Sequence, residues 1–351
     1  MNVFDKILNF EYENNTGIVN ITGGFFVLLL KRMFKNSGKS LLVVAPNEYE
    51  SRKLYNYFDG DNEVILFEDD GLSLTDGISV SPEARVDRIN ILNEVSSGDK
   101  KIVLTDMRGF LKKLPSSKSF DDNCIVFSIG LSISYDELVN KLVNIGYNRC
   151  SVVSQMGDFS VRGFVIDIFP VNFESPVRIE FFGDEVDSIR KFDIVTQKSI
   201  SELDNFKVIP FSEKFSDCNS SLYDYLGDVI VVFKDYEQIK FVYDKMVMES
   251  FELGYDVGIN YFDIRKFDVD DKLYYFDFDS CLNLDYVSKV VSFDVSSVPL
   301  FSEDFRSIDK YISSVVSDGK TVVLCTNMSK INRFLEFVSF SYIITNFDSI
   351  Y

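Results

Sequence analysis

The sequence predicts an α/β protein: a parallel-sheet domain built in two halves, with a small, mainly antiparallel α+β domain inserted between them. Three observations carry this. Short β-branched strands alternate with helical segments over residues 1–123. The same alternation returns over 211–351, whereas 124–210 holds one helical segment followed by strands in close succession. A chain of 351 residues has room for two or three domains, each with its own core.

Taken in order, Ile18-Val19-Asn20-Ile21-Thr22 reads as a strand, Gly23-Gly24 as a turn, Phe25 to Lys35 as a helix and Leu41 to Ala45 as the next strand. That is one βαβ unit. Asn47 to Asp59 then reads as a helix, Glu63 to Phe67 as a strand, Ser81 to Ser96 as a helix with Pro82 in its first turn, and Lys101 to Thr105 as a strand. The polar run from Pro115 to Asn123 suits a domain crossing. Within the insert, Ser134 to Asn144 reads as a helix, with Ser134 and Glu137 placed for a capping box. After Pro210, Val229 to Phe233 and Thr321 to Cys325 read as strands, and Tyr236 to Leu253 and Ser329 to Val338 as helices.

Composition removes several function classes. A formal charge of −19, from 55 acidic and 36 basic residues, opposes a main role in gripping phosphate backbones, which needs a clustered basic surface. The absence of histidine excludes Ser-His-Asp hydrolysis and His-ligated metal centres. Five cysteines with no CxxC pair support neither a disulfide framework nor a zinc ribbon, so a reducing cytoplasm is expected. The longest apolar run, Phe25 to Leu30, is too short for a bilayer, and no membrane partner is expected.

Nucleotide chemistry is tested at two places. Gly38-Lys39-Ser40 resembles the end of a phosphate-binding loop, but Met33 stands where that motif requires its first glycine. It also follows a helix and leads into a strand, the reverse of what a phosphate cradle needs. The topologically correct position is Thr22-Gly23-Gly24, after the first strand; it lacks the lysine for the β/γ phosphates and the hydroxyl for Mg²⁺. The acidic strand end Lys234-Asp235-Tyr236-Glu237 separates its two carboxylates and reads as ordinary surface.

The arginines of the insert form a different pattern. Arg149, Arg162, Arg178 and Arg190 lie among residues alternating in period two, with Val177, Ile179 and Phe181 on one face and Arg178, Glu180 and Phe182 on the other. An exposed Phe beside Arg has the composition of an interface hot spot. The competing reading makes Phe182 core and pairs the arginines with Asp167, Asp184 and Asp187.

The run Gly157 to Pro170, with Arg178 to Arg190 and Phe192 to Ser199, resembles the signature shared by the bacterial excision-repair protein UvrB and the N-terminal UvrB-like module of the transcription-repair coupling factors. Val44-Ala45-Pro46-Asn47, Ser81 to Ile89, Leu142 to Tyr147 and Gly319 to Leu324 extend the resemblance over nearly the whole chain, loosely over 255–297. UvrB has an intact Walker A loop and a long Tyr-rich hairpin. This chain has Ile21-Thr22-Gly23-Gly24-Phe25 and only Phe67 to Ser79 in those places, which is similar to the coupling-factor module.

The resemblance implies a degenerate RecA/P-loop-like domain in two parts, 1–123 and 211–351, the second ending toward a linker, around a UvrA-binding domain at 124–210. It implies UvrA as partner, contacted by Arg162, Arg178 and Phe182 and supported by Gly163, Asp167, Asp184 and Arg190. It implies a C-terminal domain of the same protein as an autoinhibitory partner, and RNA polymerase, DNA, ATP and Mg²⁺ as ligands of other domains of a DNA translocase. For this segment it implies no cofactor, metal or catalytic residue. The rival readings are a UvrB-like damage-binding ATPase and a direct nucleic-acid binder.

Overall fold

In the computed structural model, the described residues are 3–58, 60–69, 82–211, 218–276, 284–295, 305–319, 322, 332 and 334–336. The first α/β part contains α1 (Val3–Leu8), β1 (Thr16–Val19), α2 (Gly24–Ser37), β2 (Ser40–Ala45), α3 (Glu48–Tyr55), β3 (Val64–Phe67), α4 (Pro82–Ser96), β4 (Ile102–Asp106), α5 (Met107–Leu111), β5 (Leu114–Pro115) and α6 (Ser117–Asp122). The insert runs through β6 (Ile125–Ser128), α7 (Tyr135–Asn144), β7 (Asn148–Cys150), β8 (Asp158–Arg162), β9 (Val165–Ile168), β10 (Val177–Phe182), β11 (Glu185–Phe192), β12 (Ser199–Glu202) and β13 (Asn205–Val208). The second α/β part supplies β14 (Cys218–Ser220), α8 (Leu222–Leu226), β15 (Val229–Lys234), α9 (Tyr236–Glu252), β16 (Asp271–Phe276), β17 (Lys289–Ser292) and α10 (Phe305–Ser317).

Among the described residues, seven strands form one parallel sheet in the order β17-β1-β16-β15-β2-β4-β3. Strands of the two parts interleave: β1 lies between β17 and β16, and β15 pairs with β2. The two parts are therefore one domain, and the middle block is a true insertion rather than an appendage. Because successive residues of a strand point to opposite faces, Leu42 and Val44 of β2 join one core with α4, α5, α8 and α9. Leu41 and Val43 join the other core, under α1, α2 and α3. A strand buried on both sides reads as a continuous apolar run, which is how β2 and β15 read.

In the insert, the sheet order β12-β11-β10-β9-β8-β7 is antiparallel except at the β7–β8 edge, which is parallel. The entry strand β6 pairs with the exit strand β13, so the chain leaves where it came in. Leu138 and Leu142 of α7 pack with Phe159, Ile166, Ile168, Val177 and Ile179 in a separate core. Tyr147, whose buried hydroxyl donates to the Ile209 carbonyl at 3.0 Å, and Asn90, whose Nδ2 donates to the Val171 carbonyl at 3.2 Å, tie that core to the main domain.

Some local expectations are corrected. Ser134 is the N-cap of α7, but its side chain makes no capping hydrogen bond, so the Ser134–Glu137 box does not form. A box of that kind is made at α8 instead, where Ser221 and Asp224 bond reciprocally. The first strand lies earlier than its apolar residues suggest, at Thr16–Val19, because Asn20 turns out of the strand with φ 54°. The stretch 70–79 lies outside the described residues, as do most of the residues of the strand expected at Thr321 to Cys325 and of the helix expected at Ser329 to Val338. No described helix is long and apolar enough to cross a membrane.

Candidate functional site

The outer face of the inserted sheet is polar because of its period. Ser160, Asp167, Arg178, Arg190 and Glu202 form one transverse row across β8 to β12, each paired with the next. A second row, two residues along, runs Arg162, Val165, Glu180 and Ser188. The inner face carries the apolar partners, so β10 alternates buried Val177, Ile179 and Phe181 against half-buried Arg178 and Glu180 and exposed Phe182.

Asp167 organises the arginines. Its carboxylate is buried, and it accepts Arg178 Nε at 2.6 Å and Nη2 at 2.9 Å, and Arg162 Nη2 at 2.9 Å. Charge-assisted bonds of this length to a desolvated carboxylate hold both guanidiniums in fixed directions. Arg178 also donates from Nη2 to Gln197 Oε1 at 3.0 Å and stacks over Phe192 at 4.5 Å. Bonding to Asp167 holds Arg178 still more firmly protonated than an ordinary arginine.

The two arginines differ in access. Arg178 is mostly covered, with 23% of its side chain exposed, whereas Arg162 is 52% exposed. Two cations on one carboxylate leave one net positive charge, presented at Arg162. Arg190 is neutralised by an ion pair with Glu180, whose Oε2 also accepts Ser188 Oγ at 3.0 Å. Asp184 lies in the β10–β11 turn, where its carbonyl accepts the Ile133 N–H at 2.9 Å; it holds that turn rather than an arginine.

Phe182 is 84% exposed, so the reading of this residue as core is wrong. It precedes Gly183, whose φ of 65° makes the tight turn back into β11. At the neighbouring β8–β9 turn, Gly163 has φ 59° and Phe164 follows it. Sequence reasoning did not single out Phe164, Gln197 or Phe192. The pairing of Phe192 with Arg178 needs the β10–β11 register, and the Gln197 contact needs the turn that bends it back.

The Thr22-Gly23-Gly24 segment does follow β1 and open α2, with Gly23 as N-cap at φ 56°. Its surroundings are aromatic. The Tyr57 ring lies within 3.8 Å of where a Gly23 side chain would begin, Tyr275 donates to the Ile21 carbonyl at 2.8 Å, and Tyr275 stacks on Phe26 at 3.8 Å. The buried lysine at this edge of the sheet, Lys234, pairs with Glu50 at 3.1 Å and Asp235 at 3.3 Å. Gly38 is the left-handed C-cap of α2, and Lys39 bonds Asp271 at 2.6 Å and Asp228 at 2.9 Å, so Gly38-Lys39-Ser40 is a helix-to-strand turn.

Residues 125–213 match the UvrB interaction domain family. Over 215 residues the chain is 30% identical to the transcription-repair-coupling factor of Bacillus subtilis, covering 60% of this chain and 18% of that protein. It is 31% identical over 216 residues to the transcription-repair-coupling factor of Staphylococcus epidermidis and 32% identical over 205 residues to that of Staphylococcus aureus, covering 60% and 57% of this chain. The chain thus spans under a fifth of the length of these relatives, at 18% and 17% of the two staphylococcal proteins. With a polar arginine face on an inserted sheet, a matching domain family and relatives of one kind, the chain carries the UvrB-like module of the transcription-repair-coupling factors, with a UvrB interaction domain at residues 125–213.

Proposed function

We propose that the inserted domain is a docking module for UvrA, within a protein that couples stalled transcription to excision repair. The observation that carries this is Phe182, an 84% exposed aromatic on the same strand face as the arginine pair fixed by Asp167. A large apolar side chain held in water beside an oriented cation gains free energy only when a partner covers it. Arg162 supplies the accessible charge, suited to a carboxylate on the partner, and such a pair contributes on-rate and specificity more than bulk affinity. Arg178 contributes mainly by fixing Asp167 and the strand beneath it.

In this reading the α/β domain is a scaffold without nucleotide hydrolysis. The aromatic packing around Gly23 and the missing lysine support that assignment. ATP, Mg²⁺, DNA and RNA polymerase belong to other parts of the whole protein, which would displace stalled polymerase, and a further domain of the same protein would mask the docking face.

Titration of UvrA with this chain tests the reading. Phe182→Ala and Arg162→Glu are expected to weaken binding by about one to two orders of magnitude with the fold intact by circular dichroism. Unchanged affinity in both variants would reject it, and tight Mg-ATP binding by the isolated chain would favour a UvrB-like ATPase instead.

A further inference from the structure

Phe182 is not the sole exposed phenylalanine at its end of the sheet. Phe164, in the adjacent β8–β9 turn, is 68% exposed, and its carbonyl accepts the N–H of Phe181 at 2.9 Å. That bond places the Gly163-Phe164 turn directly against the strand end that carries Phe182. The inner face beneath is filled without it: Ile166, Ile179 and Phe181 are buried in the insert's core, and Phe164 is not among the side chains of that core. Arg162, half-exposed and held by Asp167, immediately precedes the same turn.

We propose that Phe164 is a second aromatic anchor of the docking face, forming with Phe182 and Arg162 one compact binding tip; this rests on the UvrA-docking reading above. The turn chemistry supports it. Gly163 at φ 59° allows the two-residue connection between the paired residues Arg162 and Val165, so the side chain after the glycine stands at the tip and not in the sheet. A turn needs small or polar residues there, and a phenylalanine adds nothing to turn stability. The Phe181–Phe164 backbone bond sets Phe164 opposite Phe181 and one residue from Phe182, so the two exposed rings stand at the same end of the sheet. Arg162 at the edge of that surface gives the arrangement found at binding hot spots: aromatic anchors with a cation at the rim. The partner surface it fits is an apolar depression bordered by a carboxylate.

The test compares Phe164→Ser, Phe164→Tyr, Phe182→Ala and Phe241→Ser, the last removing an exposed phenylalanine of α9 in the other domain, by titration against UvrA. Phe164→Ser is expected to weaken binding about tenfold, Phe164→Tyr to retain it, and Phe241→Ser to leave it unchanged, all with wild-type unfolding midpoints. If Phe182→Ala weakens binding and Phe164→Ser does not, the second anchor is rejected while the docking reading stands. If neither variant weakens binding, the docking reading fails and the second anchor falls with it. Equal losses in Phe164→Ser and Phe241→Ser would mark general stickiness and also reject the anchor.

Discussion

Arg178 and Asp167 are register partners across β9 and β10, and the guanidinium closes a two-point fork on the buried carboxylate through Nε at 2.6 Å and Nη2 at 2.9 Å. A fork of this kind fixes direction as well as distance. It also makes Arg178 a poor probe of binding by itself, because its removal leaves a carboxylate in the sheet with Arg162 alone.

Arg178→Ala is therefore expected to cost about 2–4 kcal/mol of folding stability, since it removes two of the three arginine bonds to a buried carboxylate and leaves only the half-exposed Arg162 on it. Arg162→Ala should cost under about 1 kcal/mol, because half its side chain is already in water. Urea unfolding of both variants separates them. Similar costs would contradict the different roles assigned to the two arginines.

Arg178→Lys is expected to recover little of that loss. An ammonium reaches the carboxylate as a point charge and cannot supply Nε and Nη2 together, nor offer a planar group to the Phe192 ring, over which the guanidinium sits at 4.5 Å. Unfolding midpoints should place Arg178→Lys nearer to Arg178→Ala than to wild type.

Much of this was legible in the sequence, for reasons that particular residues show. The continuous apolar runs of β2 and β15 announce strands buried on both faces, and the strict alternation from Val177 to Phe182 announces a sheet with one wet side. Period two also predicts that Arg178 and Phe182 share a face. What it does not predict is which cation meets which carboxylate. Asp167 is opposite Arg178 only because β9 and β10 pair in one register, and Gln197 joins them only because its turn returns over β11. Nothing in the sequence pattern marks Phe164, because a turn residue has no periodicity to show its exposure. The capping box at Ser134 failed for a related reason: the residue pattern permits the bond, but the side chain does not make it.

Two glycines flanking β8 should respond differently to alanine. Both have positive φ, 86° at Gly157 and 59° at Gly163, so each substitution carries about 1 kcal/mol of backbone strain. At Gly157 an added Cβ would also lie 2.8 Å from the Phe211 ring, forcing that side chain out of the contact between insert and main domain. Gly163 faces open space. Gly157→Ala is expected to lose roughly 3 kcal/mol in all, with overpacking added to strain, and Gly163→Ala only the strain. Equal losses in thermal unfolding would mean that Phe211 yields freely.

Asp106 gives the α/β domain a pH dependence of defined sign. It ends β4 and caps α5, accepting the Gly109 N–H at 2.9 Å. Burial pushes its carboxyl up from the usual 3.8 to about 6, with Asp69 raising it further against the lowering effect of the Gly109 bond. Between those two values the folded state binds a proton that the unfolded chain has released. Stability from this group is therefore present at low pH and lost as pH rises through about 6. At pH 7.5 holding this carboxylate ionised in the folded state costs roughly 3 kcal/mol relative to a carboxylate of ordinary pKa. Asp106→Asn keeps an oxygen to accept the Gly109 N–H and removes the titration. It is expected to raise the urea midpoint strongly at pH 7.5 and much less at pH 4.5, where only the first part of the window between 3.8 and about 6 has been crossed. A variant equally stabilised at both values would place the titration elsewhere.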